Sequence, residues 1–178
     1  MFRVSLANAF AKRTCTPLYE KHQATPFAGT LAAATVTANA VYSGMVAAQD
    51  STGAFVVADG TSDTLLGVPF GLFALDCNPT INDLDGQSAG TSPFAVWIGG
   101  PDALFKVTTL TSDATKGAFE NTDTYIVGAP IFCSEAGQIT SVDDGGDGLA
   151  IGRVIEVVSA TTLVVQIQLP ALVADVTV

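Results

Sequence analysis

Short apolar runs, each closed by a turn residue, fill most of this chain, and few stretches carry a helical period. The clearest lie near 125–133, 137–142, 149–158 and 161–169, rich in Val, Ile and Thr and separated by Gly and Ser. Such β-branched runs bounded by turn residues predict strands, and the Val158–Thr162 connection predicts a hairpin between the last two. Upstream, 41–47 and 54–58 flank a Gln49–Gly53 segment whose Gly53 can adopt the positive φ a tight hairpin needs. Segments 93–98 and 103–108 are two further strands around Gly99–Asp102, a turn signature. Residues 65–75 are apolar but punctuated by Gly67, Pro69 and Gly71. Pro69 excludes a helix interior and predicts an edge strand or a bulge. Residues 77–93 and 111–124 are polar loops. Nine or ten closely spaced strands predict an all-β fold, a compact β-barrel or β-sandwich with an extended N-terminal arm. The arm is read as residues 1–40 and the β-rich body as 41–178.

Composition sharpens this picture. The chain has 178 residues, of which 48% are hydrophobic and 13% charged, against about 25% charged in an ordinary globular protein. Polar residues interrupt every run before the ~18 apolar residues of a membrane span. The apolar excess is therefore buried within the fold or against another subunit. Three widely spaced cysteines, Cys15, Cys77 and Cys133, do not make a disulfide framework and read as small core residues or thiols in a reducing compartment.

Charge is distributed unevenly. Residues 1–22 hold Arg3, Lys12, Arg13 and Lys21 against Glu20, a net of 4 − 1 = +3, while residues 23–178 hold three cations against 16 acids, a net of −13. An acidic body repels phosphate backbones, so no nucleic-acid partner is expected; no membrane partner is expected either. The first eleven residues make a poor secretory signal, broken by Ser5 and Asn8 and followed by Lys12 and Arg13. They fit a short amphipathic helix with Phe2, Leu6, Ala9 and Phe10 on one face.

One further pattern points to a family. Gly128, Pro130, Ile131 and Phe132, then Gly137, Ile139 and Thr140, then Ile151, Gly152 and Val154 follow an order that resembles the carboxy-terminal half of tailed-phage head decoration proteins, also called capsid cement proteins. Gly67, Val68, Gly71 and Phe73 add to the resemblance. It implies a structural virion protein, made in the host cytoplasm, that binds the outer capsid surface as a homotrimer and stabilises the shell. Its partners would be the major capsid protein and neighbouring copies of itself. In that picture Phe2, Leu6, Phe10, Leu18, Tyr19 and Phe27 are apolar anchors to capsid or subunit, and Arg3, Lys12 and Arg13, with Lys21, meet acidic capsid patches. Docking of the same aromatic residues on their own domain is the competing reading. Removal of residues 1–27 is expected to leave a folded body and to weaken attachment.

Other chemistry finds little support. His22 is the only histidine and sits in the basic arm, a poor place for a catalytic triad, so no catalytic residue is assigned. No Cys-x-x-Cys spacing exists for zinc, and no cofactor is expected. Asp143, Asp144 and Asp147 crowd a Gly-rich turn in a way that suits Ca²⁺, as do Asn82, Asp83 and Asp85. Neither loop has the ligand ladder of a calcium hand, so no metal is assigned. Alternative functions are a tail-tube or fibre-base component, or a calcium-dependent carbohydrate-binding β module that uses Trp97.

Overall fold

A computed structural model of the chain describes residues 14–18, 25–32, 41–58, 71–74, 93–98, 103–110, 113–143 and 150–168. Its elements among those residues are strands: β1 (Cys15–Pro17), β2 (Thr25–Thr30), β3 (Val46–Gln49), β4 (Phe55–Val57), β5 (Gly71–Phe73), β6 (Pro93–Ile98), β7 (Leu104–Thr108), β8 (Pro130–Cys133), β9 (Ile139–Thr140), β10 (Gly152–Ser159) and β11 (Thr162–Ile167). No helix among them is long and apolar enough to cross a membrane. All strand pairs are antiparallel. They form a six-stranded sheet in the order β1-β7-β11-β10-β8-β9 and a five-stranded sheet in the order β2-β6-β5-β3-β4. The all-β expectation holds.

The five-stranded sheet curls on itself. Leu31, just past β2 at one edge, bridges Phe55 of β4 at the other, and the Ala32 amide donates to the Phe55 carbonyl at 2.9 Å. Side chains on its inner face therefore converge. Met45, Ala47, Phe55, Phe73 and Val96 form one buried cluster with Leu31 and Val41. The Phe55 ring lies so close to β2 that a Cβ on Gly29 would sit 2.6 Å from it. The outer face of the same sheet is buried too. Val46, Ala48, Val56, Ala58 and Leu72 pack into a second cluster with Phe105, Val107, Phe119, Ile131, Ile139, Leu163 and Val165 of the six-stranded sheet and its connections. Successive side chains of a strand point to opposite faces, so residues 45–48 and 55–58 supply both clusters in turn. Their continuous apolar sequence is the direct consequence.

The two sheets also share backbone. The Val46 amide donates to the Gly137 carbonyl at 2.7 Å. Gly137 has φ +76°, and a Cβ there would meet Val57 Cγ1 at 2.1 Å. Only glycine fits that turn against β4.

Three expectations are revised. Two pieces of the stretch read as an arm are strands, β1 on β7 and β2 on β6. Cutting at residue 27 would remove β1 and half of β2, so a cut that spares the fold falls before Thr14. The strand expected from residue 125 begins at Pro130, because Ile126–Ala129 form a turn closed by the Ala129 amide on the Ile126 carbonyl at 3.0 Å, with Gly128 at φ +85°. β5 lies between β6 and β3, inside its sheet rather than at the edge; Pro69 lies outside the described residues.

Phe55→Ala is expected to cost about 3–5 kcal/mol in urea unfolding, since the ring fills a closed cluster that cannot collapse around the gap. Gly29→Ala is expected to cost about 1–3 kcal/mol by overpacking against that ring. The two costs should fall well short of adding in the double variant, because the ring that clashes is gone.

Candidate functional site

The six-stranded sheet has a buried row at its centre and an uncovered end. β10 pairs with β11 along its length, but β8 pairs with it only at Gly152 and Arg153. Hydrogen bonds from the Val154 amide to the Ala129 carbonyl (2.9 Å) and from the Gly128 amide to the Val154 carbonyl (2.8 Å) extend that side by one residue. Beyond it, no strand among the described residues flanks β10, which runs on to Ser159. Val157 and Val158 on this overhang are 42% and 51% exposed, and Ile126 and Val127, on the turn beside it, are 66% and 62% exposed. These four branched side chains are exposed, as is Glu156 beside Val157 in sequence.

Val157 opposes Leu163 and so faces the core side of the sheet, yet it is 42% exposed where Leu163 is 1%. Irregularities in pairing between Val154 and Glu156 and between Val157 and Ser159 put extra residues into β10. Bulges of this kind twist a strand and discourage indiscriminate edge pairing.

The turn that carries Ile126 and Val127 is firmly seated. Tyr125, next to it, stacks edge-on against buried Phe119 with ring centroids 5.4 Å apart. Its hydroxyl donates to the Glu120 carbonyl (2.9 Å), with the Ile139 carbonyl also in reach at 3.0 Å. Burial, and then the nearby Asp123 and Glu120 charges, push the phenol well above its usual range, so it stays a neutral donor. Asp123 Oδ2 accepts from the Thr140 hydroxyl (2.6 Å) and the Ser141 amide (2.8 Å). These contacts fasten the 120–128 segment to β9 and hold two apolar side chains outward on a rigid base.

Of the residues read from the sequence as contacts, Leu18 is described: it follows β1, its amide donates to the Leu104 carbonyl at 2.9 Å, and it is 40% exposed. Phe27 lies in β2, its backbone opposite Val96. Phe2, Arg3, Leu6, Phe10, Lys12, Arg13 and Tyr19 lie outside the described residues, as do Lys21, His22, Cys77, Asn82, Asp83, Asp85, Asp144 and Asp147. Cys15 and Cys133 belong to the main core cluster, and Trp97 packs half-buried against it. No group of three metal-ligating side chains occurs among the described residues. Sequence reasoning missed Ile126, Val127, Val157 and Val158 as a surface. One signal was available: adjacent valines at the end of a strand break its alternation, so the pair cannot serve one buried face.

Together these elements make an all-β protein with four exposed branched side chains near one end of its larger sheet. A family model of phage cement proteins matches residues 1–178, the whole chain. The chain belongs to that family, and as a cement protein it stabilises the phage capsid. The comparisons matched no curated protein and no solved structure.

Tyr125→Phe keeps the ring on Phe119 and removes the hydroxyl's bond to the backbone. It is expected to lower unfolding stability by about 1 kcal/mol, read from the urea midpoint at unchanged slope.

Proposed function

We propose that this cement protein binds the outer surface of the assembled phage shell as a homotrimer and reinforces it against internal pressure, without a catalytic role or a cofactor. The observation that carries this reading is the match of the cement family to the whole chain. The exposed sheet end supports it, since a rigid apolar patch on an otherwise well-buried core marks a contact surface. The partners are the major capsid protein and neighbouring copies. Nucleic acid and membrane are not partners, in keeping with a net charge of −13 over residues 23–178. The contacts proposed for the amino-terminal residues, Phe2, Arg3, Leu6, Phe10, Lys12, Arg13, Leu18, Tyr19 and Phe27, belong to this reading. Synthesis takes place in the host cytoplasm.

Co-sedimentation with undecorated capsids tests the proposal. The full chain should pellet at a fixed, saturable ratio to capsid subunits and raise the temperature at which shells disrupt, and light scattering or mass photometry of released protein should show trimers. Protein that stays in the supernatant at every concentration would end the reading. A chain lacking residues 1–13 should keep the wild-type unfolding midpoint within about 0.5 kcal/mol and bind capsids more weakly.

A further inference from the structure

The two faces of the six-stranded sheet differ in kind. Phe105, Val107, Val154, Leu163, Val165 and Ile167 belong to the core cluster. Alternation puts Leu104, Lys106, Arg153, Val164 and Gln166 on the opposite face, and the pairing lines them up in two rows. One row runs from Leu104 through Gln166 and Arg153 to Pro130, and Leu18, whose amide donates to the Leu104 carbonyl, continues it beyond β7. The other runs from Thr16 through Lys106 and Val164 to Glu156. With strands about 4.8 Å apart, the first row extends over roughly 19 Å. The register of the sheet thus makes these side chains one continuous surface.

Charge singles that surface out. The described residues carry three cations and seven acids, a net of −4. One cation, Lys116, is paired with Asp113 at 3.1 Å in the loop after β7. The other two, Lys106 and Arg153, both lie along the two rows, and Glu156 is the one acid there. The rows are therefore net +1 and the remaining described residues net −5. Arg153 is also oriented: its Nε donates to Gln166 Oε1 at 2.6 Å, and Gln166 is only 5% exposed. That bond leaves both Nη groups for an end-on pair with a carboxylate. Apolar surface adjoins the cations, since Leu18 is 40% exposed and Leu104 is half-buried. Arginine set among apolar side chains is a composition that protein–protein contacts favour.

We infer that this outer face of the six-stranded sheet is the one that seats on the shell, against an acidic, partly apolar surface of the capsid subunit, with a capsid carboxylate on the Arg153 guanidinium and another at Lys106. The inference rests on the capsid binding proposed above and names the face that makes it. Charge complementarity selects the partner: two copies joined through this face about a twofold axis would set net +1 against net +1, whereas an acidic surface meets its opposite. The family's task of holding a capsid supplies the occupant. Because the rest of the body is acidic, the charges that attract this face turn the other faces away, and the bound protein has one orientation.

Co-sedimentation with undecorated capsids tests this with three charge reversals of equal size. Lys106→Glu and Arg153→Glu should each bind capsids about tenfold more weakly than wild type. Lys116→Glu makes the same change of net charge off this face and should stay within about twofold. Arg153→Lys keeps the charge, loses the fork, and should fall between wild type and Arg153→Glu. Urea midpoints of every variant are read alongside. Undiminished binding by both face reversals would overturn the inference and leave capsid binding intact. Equal weakening by all three reversals would overturn it in favour of net charge. Wild type that does not pellet would remove capsid binding itself, and this face with it. A second measurement needs no variant: carbodiimide, which joins amines to carboxylates in contact, should link Lys106 to the capsid subunit on decorated shells, as read by mass spectrometry of the linked peptides. Lys106 left unlinked, or linked to another copy of this chain instead, would refute the assignment.

Discussion

The constraint on which this molecule depends is a curled sheet that must bury both faces. A five-stranded sheet of three- to six-residue strands is too small to be stable with one side in water, since a few short strands bury little apolar area. Here it wraps Phe55 and Phe73 inside its curl and lays Val46, Val56 and Leu72 against the larger sheet. Strict alternation of targets along β3 and β4 makes every residue count. A one-residue slip would exchange the two faces, putting Phe55 where Val56 must fit and the reverse. The bridge from Leu31 to Phe55 and the turn at Gly137 pin that register from two sides.

The larger sheet inherits its form from this requirement. Its core face packs Phe105, Val107, Leu163 and Val165 against the smaller sheet, while the far end of β10 is exposed. An overhang follows from strand length alone: β10 has eight residues and β8 has four. Exposed branched side chains on a rigid hairpin bring little conformational entropy to lose on contact, which suits a protein whose task is to hold a shell together. Asp123, Tyr125 and Gly128 serve the same end by fixing the neighbouring turn. Stability of the body and presentation of the surface are thus parts of one arrangement.

Much of the fold was legible in the sequence. The strands at 93–98, 103–108 and 149–169 and the hairpins at Gly53 and Val158–Thr162 follow from β-branched runs and turn residues, and the structure has them there. What was not legible depends on long-range partners. Nothing local marks Cys15–Pro17 as a strand, because its pairing comes from β7, some ninety residues on. Residues 125–129 have strand-like composition, and the turn they make is set by Gly128 together with the Val154 backbone. The double burial of β3 and β4 was visible as unbroken apolar sequence, but whether the second face met another sheet or a neighbouring subunit could not be read from it. The apolar patch was hidden for the converse reason: its valines look like core until β8 is seen to stop short.

The size of the patch bears on how such a protein works. Fully burying a Val or Ile side chain is worth about 1.5–3 kcal/mol, and these four are already about half buried, so covering them supplies roughly 3–6 kcal/mol. Bringing two free molecules together costs about 4–15 kcal/mol. One such contact therefore holds free copies weakly. In the proposed assembly the shell would place copies side by side, and a second contact would form at an effective concentration near the millimolar range. In the assembly proposed above, covering these side chains would add to each copy's hold on the shell without demanding tight association beforehand. A charge of −13 on each body works in the same direction. Like charge opposes the close approach of free copies, and over separations beyond about 8 Å it is screened at physiological salt. Under the proposed function, weak contacts, repelling bodies and a scaffold that supplies proximity would make assembly conditional on the shell.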